Sequence, residues 1–74
     1  MTKQRPPKLL DMVAVTNCAD DAEVAPGDVG TVVELLAPDG VEVEFLDRDG
    51  RTRCVATLNV NDVLVLNRER TKVA

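Results

Sequence analysis

Gly27-Asp28-Val29-Gly30-Thr31-Val32-Val33, with the turns Pro38-Asp39-Gly40 and Asp47-Arg48-Asp49-Gly50 close behind it, decides the fold of this chain. The first run is a glycine-punctuated lead into a strand. The two turns then divide the next residues into a tight three-strand meander. Between them, Val41-Glu42-Val43-Glu44-Phe45 alternates strictly, so Val41, Val43 and Phe45 share one face and Glu42 and Glu44 the other.

Working outward from the meander, strands are expected at Leu9–Thr16, Asp28–Ala37, Val41–Leu46, Arg51–Leu58 and Val63–Leu66. Asn59–Asp62 suggests a single 3-10 turn before the last of them. No stretch of ten or more residues carries a 3.6-residue period, so helix is a poor alternative. The expected class is all-β: a small SH3-like barrel of about five antiparallel strands, strongly bent. Gly27 and Gly30 fit the sharp bend into the second strand. The domain occupies residues 9–66. Residues 1–8 read as a flexible lead-in, because Pro6-Pro7 blocks helix and ladder alike. Residues 67–74 form a basic tail. The connection Asn17–Gly27 carries Asp20, Asp21, Glu23 and Pro26, and is either a solvated crossing or a functional loop.

Side-chain parity sets the expected register, since a one-residue slip would turn a whole face over. A three-residue loop Pro38–Gly40, with Gly40 left-handed, pairs Leu35 with Val43 and Val33 with Phe45 and leaves Glu34 in water. A two-residue loop would bury Glu34 beside Phe45, a costly place for an unpaired carboxylate. At the second turn, a four-residue loop pairs Glu44 with Arg53, whereas a two-residue loop sets Arg48 opposite Arg51. Cross-strand charge favours the former by a few tenths of a kcal/mol. Either register points Cys54 and Ala56 inward.

The bulk numbers suit one small globular domain: 74 residues, 45% hydrophobic and 30% charged, with Phe45 the sole aromatic. A core of this size supplies only a few kcal/mol of net stability. No apolar run approaches the roughly 18–20 residues of a membrane span. The charged N-terminus precedes no secretory h-region, so a cytoplasmic protein is expected. Two cysteines fit free thiols better than a secreted disulfide framework. Cys18 reads as an incidental loop thiol and Cys54 as an inert core thiol.

Charge is partitioned along the chain. Residues 9–66 hold three arginines against twelve acids, a balance of −9, while Lys3, Arg5, Lys8, Arg68, Arg70 and Lys72 lie at the ends with only Glu69 opposing them. An acidic body repels nucleic-acid phosphates and attracts basic partners.

Asp11-Met12-Val13-Ala14-Val15-Thr16, then Gly27–Glu34, Val41–Phe45, Asp49-Gly50-Arg51-Thr52, Thr57-Leu58 and Val63-Leu64 together resemble the small bacterial proteins grouped as domain-of-unknown-function family 4926. The resemblance spans roughly residues 10–66. It implies a stand-alone SH3-like barrel, and no activity or catalytic residue to carry over. The Gly-x-x-Gly-x-Val rhythm of Gly27, Gly30 and Val32 is more loosely similar to ribosomal KOW modules, to a small SH3-like component of photosystem I and to the nitrile hydratase β chain. That likeness licenses a fold alone.

The chemistry points away from catalysis. The chain contains no histidine to act as a base near pH 7, and no serine nucleophile. Asp20, Asp21 and Glu23 lack the spacing of an EF-hand loop, and zinc lacks a ligand set. Gly27 and Gly30 precede a strand rather than a helix and do not make a phosphate-binding loop. No cofactor and no metal are expected. The leading expectation is a non-enzymatic module that docks a basic protein through Glu34, Glu42 and Glu44, with Asp20, Asp21 and Glu23 nearby, in the manner of an antitoxin or immunity protein. The same acids would equally serve solubility. A homo-oligomer is a further option, because small sheets leave edges to cover. The rival reading is a KOW-like RNA-binding barrel, which the acidic body and the inward Phe45 oppose.

Overall fold

Valine-rich alternation produces five strands, and the computed structural model, which describes residues 5–17 and 23–66, joins them in one antiparallel sheet. The strands are β1 (Met12–Val15), β2 (Val29–Leu36), β3 (Gly40–Leu46), β4 (Thr52–Asn59) and β5 (Val63–Val65). A 3-10 turn, Val60–Asp62, precedes β5 as the sequence predicts. Strand order is β4-β3-β2-β1-β5, so β1 to β4 form a meander and β5 crosses to pair with β1. Cys18, Asp20 and Asp21 lie outside the described residues. No helix among the described residues is long and apolar enough to cross a membrane.

The expected barrel is not closed. β4 and β5 are the two edges of the sheet, and each pairs with one neighbour only. The 3-10 turn is three residues long, at about 2 Å of rise per residue, so it brings the end of β4 near the start of β5. Its backbone N–H groups are taken up by a side-chain cap and by the β2–β3 loop. The Asn59 side chain accepts from the Asn61 N–H at 2.7 Å, and the Val60 N–H donates to the Asp39 carbonyl at 2.9 Å. The three residues of β5 then ladder onto β1, through Val13↔Val65, Ala14↔Leu64 and Val15↔Val63.

One face of the sheet carries the core. Val13, Val15, Val32, Val41, Val43, Phe45, Ala56, Leu58 and Val63 are buried, and Cys54 packs half-buried against them, inward as expected. Val24 joins this core from the β1–β2 connection, so that segment is more than a solvated crossing.

Both expected turn registers are corrected, the first by a loop shifted by one residue and the second by a bulge. The β2–β3 loop is three residues long but shifted by one: Leu36 pairs with Gly40, Leu35 with Val41 and Glu34 with Glu42. The loop is therefore Ala37-Pro38-Asp39, with a cis Ala37–Pro38 peptide bond, and Gly40 is not left-handed. An irregularity between Val32 and Glu34 then resets the register so that Val32 meets Val43. Val32 fills the core in place of Val33 and Leu35, which stay 39% and 49% exposed. At the second turn Glu44 faces Val55, not Arg53, and the register shifts between Phe45 and Leu46. Asp47 decides this. Its carboxylate accepts from the N–H groups of Asp49 (2.8 Å) and Arg51 (3.0 Å), and its own N–H donates to the Arg51 carbonyl at 2.8 Å. Each such bond contributes about 1 kcal/mol, more than the few tenths from a surface charge pair.

Two further turns are built to one plan. In Ala25-Pro26-Gly27-Asp28, the Asp28 N–H donates to the Ala25 carbonyl (3.0 Å) and the Asp28 carboxylate accepts from the Ala25 N–H (2.9 Å). Gly27, third in the turn, has φ +96° and donates to the Val15 carbonyl, while the Val15 N–H donates to the Asp28 carbonyl. This is a bulge whose first residue is left-handed, the position that glycine normally fills. Lys8-Leu9-Leu10-Asp11 repeats every one of these bonds. Asp11 N–H reaches the Lys8 carbonyl (3.1 Å), Lys8 N–H reaches the Asp11 carboxylate (2.8 Å), and Leu10 N–H and Asp11 carbonyl bracket Val32. Leu9 and Leu10, expected in the first strand, therefore form a turn, and Leu10 holds φ +71°.

Asp11 gives the first turn a pH dependence. The Arg5 guanidinium at 2.9 Å, then the Lys8 N–H, hold its carboxyl below the usual carboxylate range. A depressed folded-state pKa means stability that is present above the unfolded value of about 3.9 and is lost as pH falls through the folded one. Asp11→Asn is thus expected to lower the melting temperature at pH 7, and the gap to the wild type should shrink below about pH 4. Melting curves at pH 7 and pH 3 check this; a gap of equal size at both would remove the ionised carboxylate from the account.

Candidate acidic interface

β2 and β3 present an acidic patch on the face away from the core. The alternation of β3 puts Glu42 and Glu44 there, between the buried Val41, Val43 and Phe45. The β2–β3 loop, shifted by one residue, sets exposed Glu34 directly opposite Glu42. Directly opposed residues hold their Cβ atoms about 4.5–5.5 Å apart, and like charges at that separation destabilise the pair. On its other side Glu42 faces Thr57 of β4, which carries no charge. Glu44 lies between Thr31 and Val55 and accepts a hydrogen bond from the Thr52 hydroxyl.

The ion pairs among the described residues lie elsewhere: Arg5 with Asp11, and Arg53 with Asp28. Arg53, whose expected partner was Glu44, instead leans toward the β1–β2 connection. Its guanidinium donates to the Glu23 carbonyl (2.5 Å), approaches the Asp28 carboxylate at 3.4 Å, and sits 5.8 Å from the centroid of the Phe45 ring. The bulge beside it frees Arg53 from its ladder position and allows this reach.

The structure therefore brings together Glu34, Glu42 and Glu44 of the six acids singled out in the sequence. Glu23 stands apart on the β1–β2 connection, and Asp20 and Asp21 fall outside the described residues. The opposition of Glu34 and Glu42 was hidden in the sequence, because it depends on a loop shifted by one residue. The Leu9-Leu10 turn was hidden as well: it contains no glycine, and only the hydrogen bonds it shares with Ala25–Asp28 reveal it.

A groove of ≈ 320 Å³ is lined mainly by apolar residues, among them Pro6, Pro7, Leu35, Val41 and Val60, and by Asp39. Among the described residues, no three metal-ligating side chains converge.

The sequence matches the model of a family described as Domain of unknown function (DUF4926) over residues 9–65. No curated protein and no solved structure matches the chain.

Proposed function

The chain belongs to the DUF4926 family, and from that premise we propose that it is a non-catalytic module that docks a basic protein partner on the acidic face of β2 and β3. The observation that carries the reading is the direct opposition of Glu34 and Glu42. A face kept only for solubility gains nothing from placing two like charges across a ladder, where they weaken the sheet. A cationic partner relieves that repulsion on binding, and so gains affinity, on-rate and register from the same three glutamates. An antitoxin or immunity protein acting on a basic enzyme is the concrete form of this reading. The open five-strand sheet, whose edge strands β4 and β5 are joined through the 3-10 turn, is read as an SH3-like arrangement. A cytoplasmic setting suits Cys54, a thiol half-buried against the core.

The rival reading, an RNA-binding barrel, has less support. The body is acidic, and Phe45, the only ring able to stack on a base, is 1% exposed.

Two measurements test the proposal. Glu42→Lys replaces a like-charge pair with an opposite one, so folding stability should rise by about 0.2–1 kcal/mol. A fall would show that Glu34 and Glu42 do not repel. The double variant Glu42→Lys/Glu44→Lys, used as bait against the protein encoded by the neighbouring gene, should lose most of the recovery that the wild type shows at low salt. Equal recovery by both baits would remove the glutamates from binding. Tight, salt-sensitive binding of RNA at about 50 mM salt would favour the rival instead.

A further inference from the structure

Leu10 occupies a backbone conformation that an L residue with a bulky side chain rarely adopts, and yet its side chain is 76% exposed. The twin turn shows what the geometry favours, since the equivalent residue there is Gly27. Glycine at position 10 would fit the same hydrogen bonds without the left-handed penalty. Leu9 beside it is 54% exposed. Two leucines thus stand in water on a strained turn that Asp11 and Arg5 clamp in place. Strain held for the sake of an exposed apolar side chain points to a contact outside the protomer.

The same chain also carries a groove lined mainly by apolar residues. Pro6, Pro7, Leu35, Val41 and Val60 are among them, and Pro6 and Pro7 come immediately before the turn. A two-fold interface requires this arrangement, because each copy must offer knob and hole from one patch. The charges are self-complementary too. Exposed Lys8 immediately precedes the knob and exposed Asp39 is among the residues lining the groove, and neither forms an ion pair among the described residues.

We propose that this surface is a homodimer interface, in which Leu9 and Leu10 of one copy fill the Pro6–Pro7–Leu35 groove of a second, with Lys8 of each facing Asp39 of the other. The interface is independent of the acidic face on β2 and β3, so a free dimer still offers Glu34, Glu42 and Glu44 to a partner. The contact is small and belongs to the weaker class of interfaces.

Sedimentation velocity of the full chain under reducing conditions, from about 1 μM to about 1 mM, tests the proposal. Refractive-index detection is needed, because the chain has no Trp or Tyr. A concentration-dependent dimer is expected. Leu10→Gly should weaken it about tenfold or more while keeping or raising the melting temperature. Lys8→Glu should weaken it as well, and Lys8→Glu/Asp39→Lys should restore it. Glu42→Lys/Glu44→Lys should leave dimerisation unchanged, so failure of this interface and failure of the acidic docking face are separate results. A monomer throughout the range would overturn the proposal, as would a dimer indifferent to Leu10→Gly and to the charge swap.

Discussion

Gly30→Val is expected to leave the chain unfolded at 25 °C, and Gly30→Ala to remove most of its stability. A Cβ at position 30 would lie 2.6 Å from Val43 Cγ1, 2.7 Å from the Glu44 carbonyl oxygen and 2.9 Å from Phe45 Cδ1. Val43 and Phe45 are 0% and 1% exposed and have no open space to move into. The Glu44 oxygen is backbone, so it yields only if β3 moves away from β2. Overpacking a core by one or two methyl groups costs about 1–3 kcal/mol, and more where backbone must shift. A domain of this size has only about 3–5 kcal/mol to lose. Gly30 thus has a different role from Gly27. Gly27 supplies a left-handed turn in open space, whereas Gly30 supplies the absence of a side chain beneath Phe45. Urea titration followed by far-UV circular dichroism measures both variants. A Gly30→Val protein with a wild-type midpoint would show that β2 and β3 are not packed this closely.

Phe45→Ala should be almost as damaging, with a loss of about 3–5 kcal/mol. The ring is the largest side chain of the core, and it closes over Gly30 on one side and meets Cys54 in the ladder on the other. It also supports the Arg53 guanidinium, which in turn reaches Glu23 and Asp28 on the β1–β2 connection. Removing the ring therefore loosens that connection as well as the core. Arg53→Ala keeps the ring and should lose only about 1 kcal/mol. The two variants, compared by the same urea titration, separate core packing from the tether. Losses of equal size would mean that the ring acts chiefly through Arg53.

Much of this architecture was legible before the fold was known. Strict alternation in β3 fixed the inner residues Val41, Val43 and Phe45 and the outer Glu42 and Glu44, because period two leaves no choice once one face is buried. The turns were legible as turns, but not in register. Parity arguments assume an unbroken ladder, and irregularities near Val33 and Arg53 break it. At Asp47 the bonds of one carboxylate to two backbone N–H groups outweighed a cross-strand charge pair. The acidic site shared this fate: its members on β3 were readable, while the partnership of Glu34 with Glu42 waited on the loop. Barrel closure was read from five short strands and the glycine bend, but β4 and β5 stay the two edges of an open sheet. Leu10 gave no sign in the sequence, since nothing in Lys8-Leu9-Leu10-Asp11 announces a residue with positive φ.

The strand order has a consequence for synthesis of the chain. Strands β1 to β4 pair with sequence neighbours and can assemble as each hairpin leaves the ribosome. The outer edge of β1 has to wait, because its partner β5 is made last of the five, at Val63–Val65. Until those three residues emerge, Val13 and Val15 have a bare flank and the core lacks Val63. Nearly the last described residues thus secure nearly the first, and the nascent domain stays incomplete until its final strand has been delivered.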